Sequence, residues 1–363
     1  MTKERRHDVD AIRAIALFLL IAYHLGISFT SLAPFIFFIP NIKSIDSIWI
    51  PMAMINTWRI PILFLISGIA FRFSFENRSP LQLIKERLKV LGLPLLFGSF
   101  TSGALVIYIV TLFWERKGEG EAVFWPDSVH LWFLENIIIY SLIFVLMLRY
   151  LPLLRNKSEF LSKLLSKPGG IFLFSLPIIY EGHLVETGYW REGVDYTLYV
   201  DTSHGIYLGA IWFLLGIILT SQGEAFWESN KINWKIHAVF AFSLYIYRFL
   251  NEFEGVDNRI IAFESFNFIF LVLGLGATYL NKESSQLNYY KTAIFPVYIV
   301  HFPIQYALMF YFGGWNINPW LKYLIFLFLI CFLSLTFYHA IKNVRILRPL
   351  FGLRNKPKKE IDG

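Results

Sequence analysis

Two ionisable side chains, Arg13 and His24, lie in one apolar run near the start of the chain, DAIRAIALFLLIAYHLG (residues 10–26). Ionisable groups inside a membrane are costly, and they usually face the interior of a helix bundle and serve a function. On an α-helix the eleven positions between them advance about 20° past three full turns and about 16 Å along the axis. Both side chains therefore point to one face, and Asp10 lies within about 60° of it. That face carries a carboxylate, a guanidinium and, deeper, an imidazole, which titrates near neutral pH.

His24 is the first candidate for chemistry in this run. An imidazole in a cavity can take the proton of a hydroxyl as a general base or attack as a nucleophile. The alternative is a neutral histidine that hydrogen-bonds across helices. Arg13 on the same face favours the functional interpretation, although arginines that snorkel to the membrane boundary are common. Asp10 either favours the helix dipole or orients Arg13.

Arg59 lies inside the second apolar run, WRIPILFLISGIAFRF (residues 58–73). At that depth a guanidinium needs water or a partner, so we expect it to face a wet or paired site. The alternative is a structural pair with a carboxylate such as Glu135. The neighbouring Ser67 and Gly68 predict a close contact between helices.

Arg87 and Lys89 lie in KERLKVLGLPLL (residues 85–96), at the cytoplasmic end of the third predicted span. Cationic side chains bind phosphates, so these two are candidates for holding the phosphates of a soluble donor. The alternative is that both are anchors at the cytoplasmic face of the membrane.

Two later segments carry further histidines. HLWFLENIIIY (residues 130–140) contains His130 and Trp132, and FPVYIVHFPIQ (residues 295–305) places His301 in mid-span. The alternatives are an interfacial aromatic belt for Trp132 and a hydrogen bond within the core for His301.

The composition defines the class of protein. Of 363 residues, 56% are hydrophobic, 18% are aromatic and 16% are charged, and the mean hydropathy is +0.53. Soluble domains carry about 25% charge; here the apolar residues form long runs, which predict an all-α, polytopic membrane protein. The single cysteine, Cys331, excludes an intrachain disulfide and a cysteine-based metal cluster. The net charge of +7 collects between the apolar runs, which is typical of membrane topology and not of a nucleic-acid partner.

About ten spans are predicted from the apolar runs. They cover about 11–30, 48–72, 90–114, 131–150, 171–182, 203–221, 234–250, 261–281, 291–311 and 319–341. The first run lacks a clean cleavage site and is interrupted by two ionisable residues, so we expect an uncleaved helix and not a signal peptide. We predict one membrane domain, 1–342, and a short basic cytoplasmic tail, 343–363.

The charges between the spans predict the topology. Lys and Arg collect in loops 73–89 and 151–170 and after residue 342, whereas acidic residues dominate 181–202 and 251–260. With an even number of spans, this asymmetry puts both termini in the cytoplasm and the acidic loops outside.

Together these segments resemble the acyltransferase 3 family of integral membrane acyltransferases. The first helix of that family carries an arginine and a histidine with ten residues between them, after a D-x-x-R element that reads DAIR here. The other similar elements are RIPILFLISG (59–68), RLKVLGLP (87–94), HLWFL (130–134), FLLG (213–216) and YIVHFP (298–303). Val90 stands where the family usually has a basic residue. The resemblance spans about residues 8–340 and extends to the branch that contains the succinyltransferase of osmoregulated periplasmic glucans.

The resemblance implies an O-acyltransferase of the plasma (inner) membrane. It would take an acetyl or succinyl group from cytoplasmic acyl-CoA and deliver it to a hydroxyl of a carbohydrate or glycan on the extracytoplasmic side. No cofactor is expected, because acyl-CoA is the donor substrate, and membrane lipids surround the chain. The sequence leaves the acyl group, the acceptor and the oligomeric state open.

The resemblance also suggests roles for the candidate residues. His24 would deprotonate the acceptor hydroxyl or, in a variant mechanism, form a covalent acyl-imidazole. Asp10 would hold the donor-side arginine, and Arg59 would stabilise the oxyanion. The residues that bind the substrate or the donor would be Arg13, Arg87, Lys89, His130, Trp132 and His301.

Two other functions remain compatible with the sequence. A transporter or flippase of an acyl or glycan intermediate also has many spans and charges in the membrane, but transporters often show internal repeats, and none is visible here. A non-catalytic membrane sensor is the second alternative, and acyl transfer by the purified protein would distinguish it from an enzyme.

Overall fold

The computed structural model describes residues 6–151, 154, 156–190 and 195–353, and these are helical without a β-strand. The α-helices are α1 (His7–Ile27), α2 (Trp49–Asn56), α3 (Arg59–Glu76), α4 (Pro80–Arg87), α5 (Leu93–Gly98), α6 (Ala104–Glu115), α7 (Trp132–Tyr150), α8 (Glu159–Leu165), α9 (Leu176–Glu186), α10 (Ser203–Ser221), α11 (Glu224–Leu250), α12 (Asn258–Leu275), α13 (Ser285–Phe312), α14 (Pro319–Ile341) and α15 (Leu347–Leu350). Short 3₁₀ turns occur at Ala33–Ile36, Asp46–Ile48, Val129–Leu131 and Gly170–Ser175, and π-helical segments at Leu88–Gly92, Ser99–Gly103 and Gly276–Leu280.

Eight helical segments of the described residues are long and apolar enough to cross a membrane. They are His7–Ile27, Asp46–Glu76, Pro80–Glu115, Val129–Tyr150, Ser203–Ser221, Asn258–Leu280, Ser285–Phe312 and Pro319–Ile341. A helix satisfies its own backbone hydrogen bonds, which a chain in lipid requires. The prediction of an all-α, polytopic membrane protein is confirmed.

Two of the ten predicted spans are not among these eight. The region predicted as 171–182 consists of six residues of 3₁₀ helix and the eleven residues of α9, or about 28 Å of helix, close to the thickness of the hydrocarbon core of about 30 Å. The region predicted as 234–250 lies inside α11, which has 27 residues but carries polar groups that lower its hydropathy. Eight and ten are both even numbers, so either count puts the two termini on the same side of the membrane.

The chain divides into two compact units that interleave along the sequence. The first contains Met1–Leu20, Ser47–Ile84 and Ile139–Lys291. In this unit α3 packs closely on α10. A Cβ on Gly68 would lie only 2.0 Å from the carbonyl oxygen of Phe213. Only glycine permits such an approach of two backbones, and the close contact predicted at Gly68 is confirmed.

The second unit contains Ile21–Asp46, Lys85–Ile138 and Thr292–Gly363. Its π segment, Ser99–Gly103, widens the helix, and the carbonyl of Ser99 accepts a hydrogen bond of 3.3 Å from the backbone N–H of Asp127. A Cβ on Gly103 would lie 1.8 Å from the carbonyl oxygen of Asp127. The π segment and Gly103 therefore hold the chain just before the Val129–Leu131 turn.

The predicted tail, 343–363, is only partly described. Phe351 is buried, and its ring centroid lies 5.4 Å from that of Phe97 and 5.2 Å from that of Phe337. The start of the tail therefore packs on the second unit. Residues 354–363, with most of the predicted basic charge of the tail, lie outside the described residues, as do parts of the loops 151–170 and 181–202.

Candidate functional site: a histidine cluster

Three histidines from distant segments meet in the second unit. His24 lies in the last turn of α1, His130 in the Val129–Leu131 turn, and His301 in α13. The rings of His24 and His301 are nearly parallel, with 5.6 Å between centroids and 4° between planes. The ring of His130 stands at 87° to that of His301 at 5.3 Å. Sequence analysis had singled out all three residues, and the structure brings them together.

Hydrogen bonds connect the cluster to α13. Nδ1 of His301 donates to the carbonyl oxygen of Tyr298 at 2.7 Å, and Nε2 of His301 lies 3.3 Å from Nδ1 of His24. The amide Nε2 of Gln305 donates to the backbone carbonyl of His24 at 2.9 Å. His301 and Gln305 are fully buried, whereas His24 is half-buried. His24 is therefore the most accessible of the three imidazoles, and the other groups hold it in place.

A proline explains how His130 attaches to α13. Pro303 lies inside this helix and has no N–H, so the carbonyl four residues earlier, that of Ile299, loses its helical donor. Nε2 of His130 donates to this oxygen at 3.1 Å. The hydroxyl of Tyr298 in turn donates to the backbone carbonyl of His130. The segment Tyr298–Pro303 thus supplies a hydroxyl donor and a released carbonyl on the side of the helix that carries His301.

Two buried acceptors of this cluster lack a hydrogen-bond donor among the described residues. They are Nδ1 of His130, on a side chain 5% exposed, and Oε1 of Gln305. A buried polar atom without a partner is destabilising by about 1–3 kcal/mol. Acceptors of this kind favour a ligand that presents N–H or O–H groups.

Aromatic rings and a loop close the cluster. The ring centroid of Phe302 lies 4.8 Å from that of His24, and Phe38, in the loop after α1, lies 6.3 Å from His24. The hydroxyl of Tyr306 donates to the carbonyl of Phe37 at 2.9 Å, which ties this loop to α13. The site is therefore mainly apolar, with a few directed polar groups, which is the usual composition of a small-molecule site.

Lys322, at the start of α14, anchors the same loop. Its side chain is fully buried, and Nζ donates to Oδ1 of Asn41 at 2.7 Å and to the carbonyls of Gly313 and Trp315 at 2.6 and 2.9 Å. Three acceptors satisfy the three donors of an ammonium group. Sequence analysis did not single out Lys322 or Gln305. The position of a basic residue near the start of an apolar span was the available signal for Lys322.

The other predicted site residues of the second unit lie in α4, in the π segment that follows it and at the start of α7. Arg87 ends α4 and is half-buried, and Lys89 is exposed in the π segment Leu88–Gly92. Trp132, at the start of α7, is 7% exposed. The roles of these three residues in donor binding stay predictions.

Three predicted site residues belong to the first unit. Asp10 and Arg13 form an ion pair one turn apart, with 3.7 Å between Oδ1 and Nη1. Arg59 begins α3 and is 5% exposed, so its guanidinium is indeed in the interior. Its pairing with Glu135 stays a prediction, as do the roles proposed for all three residues.

The first unit also contains a buried pair that sequence analysis missed. Glu181 was assigned to the acidic loop 181–202, but it lies inside α9, is fully buried and contacts Nδ1 of His204 through Oε1. Nε2 of His204 donates to the carbonyl of Tyr196 at 2.9 Å. The assignment of Glu181 to the loop was wrong: the ranges predicted for the fifth span (171–182) and for the loop (181–202) overlap at this residue, and the structure places it in the helix. Charge counting along a loop gives no signal for such a pair.

The helices and the cluster define an integral, multi-pass membrane protein with a buried imidazole site. The chain belongs to the acyltransferase 3 family, whose model, described as an acyltransferase domain, matches residues 6–339. It is similar to proteins named glucans biosynthesis protein C from Escherichia coli strains SMS-3-5 and 55989, each 23% identical over 99% of this chain and 97% of the relative. No solved structure matches the chain significantly. The protein is therefore an O-acyltransferase, as the sequence predicted.

Proposed function

We propose that this protein transfers an acetyl or succinyl group from acyl-CoA to a hydroxyl of a carbohydrate or glycan. The observation that carries the proposal is the cluster of His24, His130 and His301, in a chain of the acyltransferase 3 family. The word glucans in the name of its relatives supports a glycan acceptor. A glycan presents many hydroxyl groups, and the cluster offers acceptors for them.

The reaction needs one group that takes and returns a proton. The imidazole of His24 takes the proton from the acceptor hydroxyl while the oxygen attacks the carbonyl carbon of the thioester. The tetrahedral intermediate collapses, the C–S bond breaks, and the CoA thiolate receives the proton from the imidazolium. The products are an ester and free CoA. In the covalent variant, His24 first attacks the thioester carbonyl, the C–S bond breaks, and CoA leaves as the thiolate. The hydroxyl oxygen then attacks the acyl group on the ring, the N–C bond breaks, and the hydroxyl proton goes to the thiolate, which leaves neutral His24, the ester and free CoA.

The orphaned acceptors suggest how the substrates are positioned. Nδ1 of His130 and Oε1 of Gln305 can accept hydrogen bonds from amide N–H groups of the pantetheine arm or from sugar hydroxyls. Because both groups only accept in these orientations, neither stabilises the oxyanion. We keep Arg59 as the candidate for that role.

The phosphates of the donor need cations. Arg87 and Lys89 offer two at the start of the π segment in the second unit, and a guanidinium binds phosphate through two parallel hydrogen bonds. Arg13, with Asp10 as its ion-pair partner, is the third proposed donor-side cation. The charge asymmetry of the loops supports cytoplasmic termini, and the family resemblance supports a cytoplasmic donor, an extracytoplasmic acceptor and a location in the plasma (inner) membrane.

Transfer by the purified protein tests this proposal. The protein in lipid nanodiscs is incubated with radiolabelled acetyl-CoA or succinyl-CoA and a soluble glucan, and acylated glucan is measured together with free CoA. We expect equal amounts of ester and free CoA from the wild type and neither product from His24→Ala. A folded wild-type protein that gives neither ester nor free CoA would contradict the proposal and favour the transporter.

A further inference from the structure

We infer that His301 is a positioning residue that fixes the tautomer of His24 and leaves the reactive lone pair on its Nε2. The inference rests on the proposed function for its catalytic meaning, but the tautomer itself can be measured without turnover. This role goes beyond packing: a histidine that is only buried in the core does not have to fix the tautomer of His24.

The first step concerns His301. A carbonyl oxygen can only accept a hydrogen bond, so the contact of 2.7 Å between Nδ1 of His301 and the oxygen of Tyr298 places a proton on Nδ1. The ring is fully buried, and no carboxylate of the described residues forms an ion pair with it. A buried imidazole in such surroundings is neutral, because an unpaired charge is expensive there. Its Nε2 therefore carries a lone pair.

The second step concerns His24. Nδ1 of His24 lies 3.3 Å from that lone pair on Nε2 of His301. The contact is a hydrogen bond only when Nδ1 of His24 carries the proton. In a neutral imidazole the other nitrogen, Nε2, is then the base. The order of donors runs from His24 through His301 to the Tyr298 carbonyl.

The third step explains why this order persists. The parallel ring of His24, with 4° between the planes, and the ring of His130, with 5.3 Å between centroids, leave His301 little freedom to rotate. The carbonyl of Tyr298 is backbone on the same helix, so it cannot turn away. An imidazole in this place orients His24 as a carboxylate orients the histidine of a hydrolase triad. It adds no formal negative charge to the membrane interior, and it gives the imidazolium of His24 less stabilisation, which favours return of the proton to the leaving thiolate.

Two variants of similar size separate the hydrogen bond from the packing. In His301→Gln the side-chain oxygen can take the place of Nε2 and accept from Nδ1 of His24, whereas His301→Met fills the space without an acceptor. We expect His301→Met to lower kcat by about 100-fold, which is within the usual contribution of a positioned base. The KM for acyl-CoA should stay within about twofold, and His301→Gln should recover at least about tenfold of the lost rate. Equal kcat values for both variants at equal folded amounts would overturn the inference.

Nitrogen NMR of the purified wild type labelled at histidine gives a measurement that does not depend on activity. The signal of His24, identified by its loss in His24→Ala, should be that of the Nδ1-protonated tautomer, and in His301→Met it should shift toward the Nε2-protonated form. An Nε2-protonated His24 in the wild type would contradict the inference. A wild type that transfers no acyl group but shows the Nδ1-protonated form would contradict the proposed function and leave the tautomer assignment in place.

Discussion

Each unit of the protein buries a histidine with a directed partner, and the two partners differ. In the first unit both nitrogens of His204 are occupied, Nδ1 by the carboxylate of Glu181 and Nε2 by the carbonyl of Tyr196. In the second unit His24 is half-buried, and its Nδ1 faces another imidazole, that of His301. A ring with both nitrogens bound to protein and no exposed surface has no position for a substrate proton. We therefore expect a structural role for His204 and keep the half-buried His24 as the proposed base.

The difference lies at the two histidines and not in the number of satisfied polar groups. The first unit encloses an ion pair, in which Nε and Nη2 of Arg248 donate to Glu264 at 2.6 and 3.0 Å, and Nη2 also donates to the carbonyl of Ala53 at 2.8 Å. Both units also contain buried polar atoms without a hydrogen-bond partner among the described residues, such as Oε2 of Glu181 in the first and Nδ1 of His130 and Oε1 of Gln305 in the second. Only the latter two lie beside the proposed base, His24.

The largest effect that tests this comparison is on catalysis. His24→Ala should reduce acyl transfer by about 10²–10⁴-fold, the contribution of a general base, while the protein inserts and accumulates normally. His339→Ala, which removes an exposed histidine, is the control. Near-normal transfer by His24→Ala would return His24 to a structural role and remove the contrast with His204.

The next largest effect is on stability and belongs to the first unit. Glu181→Ala leaves His204 buried without its partner and should lower the free energy of unfolding by about 3–5 kcal/mol, as for a broken buried pair. The measurement is the thermal unfolding curve of the detergent-solubilised variant, compared with that of the wild type.

Two variants serve as controls for Glu181→Ala. Glu228→Ala removes a carboxylate 54% exposed that pairs with Lys231, and its effect should be below about 1 kcal/mol. The double variant Glu181→Leu with His204→Phe should recover much of the lost stability, because well-packed apolar residues replace such pairs without loss. Full transfer activity in the double variant would sharpen the comparison, and loss of activity at normal stability would assign His204 a part in the reaction.

A smaller effect is expected at the donor cations. Arg87→Ala and Lys89→Ala should each raise the KM for acyl-CoA by about tenfold, because a hydrogen bond between charged groups contributes about 1.5–3 kcal/mol. The KM for the acceptor should not change. Lys85→Ala, one turn away and exposed, is the matched control. An effect confined to the acceptor would contradict the assignment of these residues to the donor.

The fourth prediction concerns membrane topology, and the cysteine variants that test it should retain acyl transfer. In a Cys331→Ser background, a cysteine at Tyr189, which is 65% exposed, should react with a membrane-impermeant thiol reagent on intact cells, because ten spans put residues 181–202 outside. A cysteine at Ile346, which is 82% exposed, should be protected. Protection at position 189 would favour eight spans, in which the loop after α9 lies on the side of the termini.

The sequence identified the helices and the histidines but not the order of their hydrogen bonds. Apolar runs and intramembrane ionisable residues are local signals, and they were sufficient to select His24, His130 and His301. The contact between His24 and His301 joins residues 277 positions apart, and that between His130 and Ile299 spans 169. No periodicity encodes such distances. The pair of Glu181 and His204 has the same origin, because its contact joins residues 23 positions apart, which charge counting along a loop does not encode.

The buried ammonium of Lys322 joins two segments that are far apart in the sequence, and these segments are also synthesised at different times. Its acceptor Asn41 lies 281 residues earlier and is synthesised long before α14. Until α14 enters the membrane and reaches that loop, Lys322 has no contact with Asn41, and a bare ammonium is expensive in lipid. The loop beside His24 is held to α13 through Tyr306, and it gains its tie to α14 only when that span is in place. A chain stopped before α14 would carry the three histidines with the first tie and without the second.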